Sequence, residues 1–271
     1  MKKRIVSFLG ALTLVIVPSA AFAYTPAAQT PQPAQKSSGP QPKSQKEIDS
    51  LKKVQAAAQA NDAKAELQAI KDTLENFTDT EYKPMLLGMA VQAAQATGDY
   101  AETLVWGERA IQNDPNAILA RVVLAESIAQ NTHEHDLDKD QSLKKINDYA
   151  NKALDLVKTT TTPTEGVPAA QWPEYKQHMT SQAYDALGQA AVLSKNFPDA
   201  VKNLEAAASA DPTNPIPEAR LSKAYVDSKQ YDQAIATADK VLAMPNLPPQ
   251  VKTYAEGQKS VATKLKAAGA K

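Results

Sequence analysis

The sequence predicts an all-α protein built from consecutive helical pairs. Three observations lead to this prediction: glycine and aromatic residues are scarce, apolar residues recur at helical spacing from residue 47 onward, and the C-terminal half repeats with a 34-residue period. Nine glycines and 6% aromatic residues in 271 argue against β-sandwiches, β-barrels and glycine-rich phosphate loops. Because the chain has no cysteine, disulfides, thiolate zinc sites and iron–sulfur clusters are excluded.

Short segments of Asn, Asp, Gly or Pro divide the apolar periodicity into eleven predicted helices. Prolines fall in the first turn of these helices or between helices, where a missing N–H costs little. No segment shows a convincing strand alternation. The predicted helices span residues 47–60, 63–77, 82–96, 100–113, 117–129, 141–157, 173–193, 198–209, 217–227, 231–243 and 249–267.

Residues 1–23 have the pattern of a bacterial secretory signal. Basic residues at 2–4 precede an apolar run over 5–17, and residues 21–23 form a small-x-small cleavage site. A membrane anchor would need about 20 apolar residues, which is longer than this run. We therefore expect a cleaved chain that begins at Tyr24, has no stable membrane insertion, and is periplasmic or secreted.

Residues 24–46 are predicted to be a disordered linker rich in Pro, Gln, Ala, Ser and Lys, because they carry little aliphatic surface to offset the entropy of ordering. Six of the 30 basic residues and none of the 30 acidic residues precede residue 47, so the remaining chain carries a net charge of −6. A nucleic-acid partner is not expected, because this acidic body lacks a basic stripe.

The repeat is clearest in the C-terminal half, where Leu187 and Leu221, and Ala200 and Ala234, are each 34 residues apart. In each unit an aromatic residue and a Leu-Gly-type pair mark the first helix, alanines mark the second, and proline closes the turn. This order resembles the tetratricopeptide repeat (TPR) family. The predicted repeat-packing residues are Gly98, Tyr100, Ala110, Pro115, Leu124, Ala153, Tyr184, Leu187, Gly188, Ala200, Leu204, Ala207, Pro212, Leu221, Tyr225 and Ala234.

The resemblance implies a right-handed α-solenoid whose concave face is lined by the first helix of each pair. A pair of about 34 residues buries too little surface to be stable alone, so each pair must lean on its neighbours. The implied units are a degenerate helical pair at 47–78, repeats at about 84–117, 118–158, 181–214 and 215–248, and a capping helix at 249–267. The capping helix carries a predicted apolar stripe of Val251, Tyr254, Val261 and Leu265.

The predicted concave face mixes flexible apolar residues with polar residues. Such a groove suits an extended peptide or a partner helix, because methionine adapts its shape and Gln or Arg supplies hydrogen bonds. The Lys and Asn set with which one family subtype holds a C-terminal carboxylate is not found. The candidate binding residues are Met85, Met89, Gln92, Leu119, Val122, Glu126, Gln182, Asp185, Gln189, Arg220 and Lys223.

An insertion in the second clear repeat, residues 133–140, is the weak candidate for a metal site. Its aspartates alternate as in a calcium loop, but Gln141 stands where that loop needs glycine and Asn147 where it needs a bidentate Glu. Its histidines lack the HExxH zinc spacing. We therefore expect no metal and no cofactor. The ligands to consider are His133, His135, Asp136, Asp138 and Asp140.

The sequence predicts a non-catalytic scaffold of the bacterial cell envelope that binds a protein or peptide in its concave groove. No nucleophile elbow, P-loop, dinucleotide fingerprint or metalloprotease helix occurs, so no enzyme is predicted. An alternative is a structural solenoid that associates with itself as a homo-oligomer. A third and weaker alternative is a metal-binding protein or enzyme that uses the insertion at 133–140.

Overall fold

The computed structural model describes residues 39–164 and 167–269. The predicted signal at 1–23 and the predicted linker at 24–38 lie outside the described residues. The described chain is all helical, which confirms the predicted fold class and the eleven helices. These are α1 (Gln45–Gln59), α2 (Ala63–Asn76), α3 (Lys83–Thr97), α4 (Tyr100–Asn113), α5 (Ile118–Asn131), α6 (Lys139–Thr159), α7 (Trp172–Leu193), α8 (Phe197–Ala210), α9 (Pro215–Asp227), α10 (Tyr231–Leu242) and α11 (Pro249–Ala267), with a short 3-10 helix at Ala169–Gln171.

The helices form a solenoid, because each one packs against the next in the chain. We call α1, α3, α5, α7, α9 and α11 the first helices, and α2, α4, α6, α8 and α10 the second helices. Each first helix and the second helix that follows it make one antiparallel pair, and α11 covers the end of the last pair. Among the described helices, none combines the length and the apolar character needed to cross a bilayer.

Polar N-caps set the starts of five helices. The side chains of Ser44, Asp62, Asp99, Asn196 and Asn214 each accept a hydrogen bond from a backbone N–H two or three residues later. Such a cap satisfies one of the N–H groups that the first turn of a helix leaves without a partner, and contributes about 1 kcal/mol.

Four turns between a first and a second helix share one backbone conformation. Asn61, Gly98, Lys195 and Lys229 have φ values of 53°, 74°, 57° and 63°. This left-handed region is uncommon for residues other than glycine, and lysine occupies it at two of the four positions. The conformation reverses the chain within a few residues, so the two helices of a pair pack side by side.

Small residues bring the helices close together. A Cβ atom placed on Gly188 of α7 would lie 2.5 Å from Cγ of Leu204 in α8, and one on Gly107 of α4 would lie 2.6 Å from the side chain of Leu124 in α5. Both leucines are fully buried. These glycines are therefore required by the close approach of neighbouring helices, not by a special backbone conformation.

Eleven of the predicted repeat-packing residues are buried: Ala110, Leu124, Ala153, Leu187, Gly188, Ala200, Leu204, Ala207, Leu221, Tyr225 and Ala234. Tyr184 is half-buried. Gly98, Tyr100, Pro115 and Pro212 are exposed, so the packing prediction is wrong for these four. They lie in turns or at the first residue of a helix, where few neighbouring helices cover the side chains.

The predicted disordered linker, residues 24–46, includes residues that the structure shows to be ordered, 39–46. The Lys43 ammonium lies 2.8 Å from the Asp79 carboxylate, and the Tyr82 hydroxyl donates to the Pro40 carbonyl at 2.9 Å. These contacts join the segment before α1 to the turn between α2 and α3. The assignment of residues 39–46 to the linker is therefore wrong, because contacts with the turn between α2 and α3 supply the order that their aliphatic content does not.

Candidate functional site

The first helices form the inner side of the solenoid. From α3 onward each first helix packs directly on the next first helix, whereas within residues 39–164 and 167–269 no second helix packs on the next second helix. The layer of first helices is therefore compressed and the layer of second helices is spread, which is the geometry of a curved stack. We call the surface of α3, α5, α7, α9 and α11 that faces away from the second helices the inner face.

The predicted binding residues all lie on the first helices but differ in exposure. Gln92 is exposed, seven are half-buried, and Val122, Glu126 and Asp185 are buried. The prediction that Val122 lines a groove is wrong, because this side chain is fully buried in the core cluster that α5 forms with α6 and α7. The half-buried residues are Met85, Met89, Leu119, Gln182, Gln189, Arg220 and Lys223.

Five of the polar side chains on these helices form one group, which we call the inner-face polar cluster. The Oδ2 atom of Asp185 accepts hydrogen bonds from the Arg220 guanidinium and, at 3.1 Å, from the Gln189 amide. The Gln95 amide donates to the Glu126 carboxyl group at 3.5 Å. The charges of Asp185 and Arg220 act on Glu126, so the two sets of contacts join into one cluster that spans four successive first helices, α3, α5, α7 and α9.

Burial changes the ionisation of both carboxyl groups in the cluster. Desolvation, with a smaller contribution from the charge of Asp185, raises the pKa of Glu126 to about 8, although Arg220 and Gln95 oppose the shift. Desolvation also raises the pKa of Asp185, while Arg220 and Gln189 favour its charged form. At neutral pH Glu126 is therefore mostly protonated, whereas the Arg220 guanidinium in contact with Asp185 opposes the effect of burial on that carboxyl group.

Two acceptor atoms next to this ion pair have no hydrogen-bond partner within the described residues. They are Oδ1 of Asp185 and Oε1 of Gln182, both enclosed by protein. Gln182 precedes Asp185 by three residues on α7, so the two side chains share one face of the helix. An unpaired buried acceptor costs about 1 to 3 kcal/mol, and more when it is charged.

Apolar side chains are exposed on the last two first helices. Ile216 of α9 and Tyr254 and Val261 of α11 are 43%, 38% and 43% exposed. The charges of Arg220, Asp227 and Asp185 all act on the Tyr254 hydroxyl, which places this ring beside the polar cluster. These three were not predicted as binding residues from the sequence, although the 34-residue register that relates Arg220 to Tyr254 was a usable signal.

The capping helix packs through two residues of the predicted apolar stripe and two alanines beside it. Its fully buried residues are Ala255 and Ala262, and Val251 and Leu265 pack beside them. Tyr254 and Val261, the other two residues of the predicted apolar stripe, are partly exposed. Alanine at the contact lets α11 approach α9 and α10 closely, which leaves the larger side chains at the edge.

The insertion at 133–140 does not assemble a group of metal ligands. The His133 backbone N–H donates to the Asp136 carboxylate at 2.6 Å, and the imidazole of His133 lies 3.5 Å from the same oxygen. Glu134 forms an ion pair with Lys195 in the turn between α7 and α8. No three His, Asp or Glu side chains converge as candidate ligands anywhere in the described ranges, and this includes His135, Asp138 and Asp140.

Residues 191–253, from the end of α7 to the start of α11, match the tetratricopeptide repeat family. No curated protein sequence matches the chain. In structure, the chain is similar to a thermophilic TPR protein of Thermus thermophilus, with 14% identity and a TM-score of 0.55, over 78% of this chain and 98% of that chain. MamA of Desulfovibrio magneticus aligns with 18% identity and a TM-score of 0.47, over 73% and 94% of the two chains. The first likeness shows the fold, and the second is too distant to support a conclusion.

Proposed function

We propose that the chain, of which residues 191–253 match the tetratricopeptide repeat family and whose fold is similar to that of a TPR protein, is a non-catalytic scaffold that binds a segment of a partner protein on its inner face. The observation that carries this proposal is the composition of the inner face. The partly exposed ring of Tyr254 on α11 lies beside a buried polar cluster that crosses four first helices, and Ile216 on α9 and Val261 on α11 are further exposed apolar side chains.

This combination fits the recognition of a peptide or helix. Exposed apolar residues provide anchoring contacts whose burial on binding is favourable. Buried polar groups add specificity, because a partner that leaves them without hydrogen bonds loses affinity. The half-buried Met85 and Met89 on α3 extend the adaptable part of the surface towards the N-terminal end.

Site-specific photocrosslinking tests the proposal. A benzoylphenylalanine at position 254, on the inner face, should crosslink to a partner protein in the native host. The matched control is position 105, where Val105 is 51% exposed on the second helix α4. Equal crosslinking at the two positions, or none at position 254, would contradict binding by the inner face. A product of twice the mass of the chain would instead support the self-associating solenoid.

We also propose that the scaffold works in the bacterial cell envelope. The support is the sequence of residues 1–23, with its basic start, apolar centre and small-x-small site. The protein recovered from an envelope fraction should have the mass of a chain beginning at Tyr24, and Leu14→Arg, which interrupts the apolar run, should stop this processing. A chain that keeps Met1 and stays in the cytoplasm would overturn the proposed location.

A further inference from the structure

We propose that the inner face receives a basic side chain, lysine or arginine, of the bound segment, next to Asp185 on α7. This inference rests on the proposed function and adds the chemistry of the partner. It concerns one point on the inner face, between α7 and α9. There two buried acceptor oxygens have no hydrogen-bond donor within the described residues.

Only one of the two carboxylate oxygens of Asp185 accepts hydrogen bonds from the described residues. Its side chain is 4% exposed, and its Oδ2 atom accepts from both Arg220 and Gln189. Its Oδ1 atom has no donor within the described residues. A carboxylate accepts hydrogen bonds at both oxygens, and a buried one left half-satisfied favours any ligand that brings a donor.

A second buried acceptor lies on the same face of α7. Oε1 of Gln182, one helical turn before Asp185, also lacks a donor within the part of the chain that the structure describes. A single ammonium or guanidinium group carries several N–H donors and could satisfy both oxygens, whereas a backbone amide brings one donor.

The charges around this point also favour a cation. The inner-face polar cluster contains two carboxyl groups, Glu126 and Asp185, and one guanidinium, Arg220. The neighbouring Lys223 is already paired with Asp227 at 2.5 Å. Because Glu126 is mostly protonated at neutral pH, the preference for a cation rests on the unpaired Oδ1 atom of Asp185, which attracts a positively charged donor and disfavours an acidic partner residue.

The apolar residues nearby suit the rest of such a segment. The charge of Asp185 acts on the Tyr254 hydroxyl, and the Tyr254 ring is partly exposed. Ile216, at the start of α9, occupies the register position of Gln182 one repeat later and is also exposed. Residues that flank the basic side chain can therefore contact apolar surface while the charged end reaches Asp185.

The test uses a phage-displayed library of random 12-residue peptides, selected on the purified full-length protein. Enriched peptides should share a lysine or arginine next to apolar residues. In a synthetic copy of the best binder, replacing that lysine by norleucine, or that arginine by citrulline, should weaken binding about tenfold to hundredfold, as expected for a charge-assisted hydrogen bond in a closed site.

Variants of the protein locate the effect. Asp185→Asn should weaken the same peptide comparably, and in this variant the replacement in the peptide should have little further effect, as in a double-mutant cycle. Gln182→Met, which leaves the Asp185–Arg220 ion pair intact, should weaken binding several-fold. Asp155→Asn and Gln112→Met, at exposed positions of second helices, are the matched controls and should bind as the unmodified protein does.

The possible failures are distinguishable. If no peptide is enriched, the proposed function and this inference both fail. If peptides are enriched without a shared basic residue, or with one whose effect is independent of Asp185, the inference fails and peptide binding by the inner face stands.

Discussion

Asp185 and Glu126 show how a solenoid can bury carboxyl groups on its inner side. The first helices α5, α7 and α9 are each flanked by two other first helices, so side chains between them lose contact with water even where the helix pattern places them on a polar face. Both residues were predicted from the sequence to lie on the inner face but not to be buried. Helical periodicity predicts which face of the helix a side chain lies on. The burial of that side chain also depends on how closely the neighbouring helices approach, and the periodicity carries no information about this distance.

The buried Glu126 gives a prediction for stability. Its pKa is near 8 in the folded chain, because of desolvation and then the charge of Asp185, and near 4.5 when unfolded. The folded state therefore holds a proton that the unfolded state releases, and this contribution to stability is lost as pH rises from about 4.5 to 8.

Glu126→Gln, which mimics the protonated form and keeps the contact with Gln95, should remove this dependence. Urea unfolding at pH 5 and pH 8 should show a smaller loss of stability in Glu126→Gln than in the unmodified protein, and the variant should be the more stable one at pH 8. An identical pH dependence in both proteins would show that Glu126 is already ionised at neutral pH.

At the scale of single elements, every predicted helix boundary lies within two residues of the observed one. α4 was predicted at 100–113 and is found at Tyr100–Asn113, because Asp99 caps it and the apolar period is clear. α1 begins at Gln45 and not at residue 47, because Ser44 provides the cap. The left-handed turns at Lys195 and Lys229 could not be predicted, since lysine has no preference for that conformation.

The close contact between α7 and α8 depends on Gly188, which has no side chain. In Gly188→Ala, the new Cβ would lie 2.5 Å from Cγ of the buried Leu204, so we expect a loss of about 1 to 3 kcal/mol from overpacking. Gly257→Ala is the matched control, because Gly257 is also helical and its Cβ would meet nothing within 4 Å. Alanine there should stabilise the chain by about 0.5 to 1 kcal/mol.

Urea unfolding at a fixed pH measures both changes. Opposite signs for the two variants would support the close approach of α7 and α8. If Gly188→Ala were as stable as Gly257→Ala, the two helices would be farther apart than the structure places them.

For the whole molecule, the architecture could be predicted because repetition is visible in the sequence itself. The 34-residue register between Leu187 and Leu221 reports a stacked unit, and stacking of such units gives the solenoid. The candidate site was less predictable. Its polar cluster combines residues from four helices that lie up to 125 positions apart, from Gln95 to Arg220, and only their packing brings them together.

Hydrogen–deuterium exchange of the protein, with and without the tightest peptide from the random library, tests the central claim that the inner face is the binding surface. We expect slower exchange on binding in the first helices α7, α9 and α11, with little change in the second helices α4 and α6. Protection confined to the second helices, or absent from α7 and α9, would contradict it.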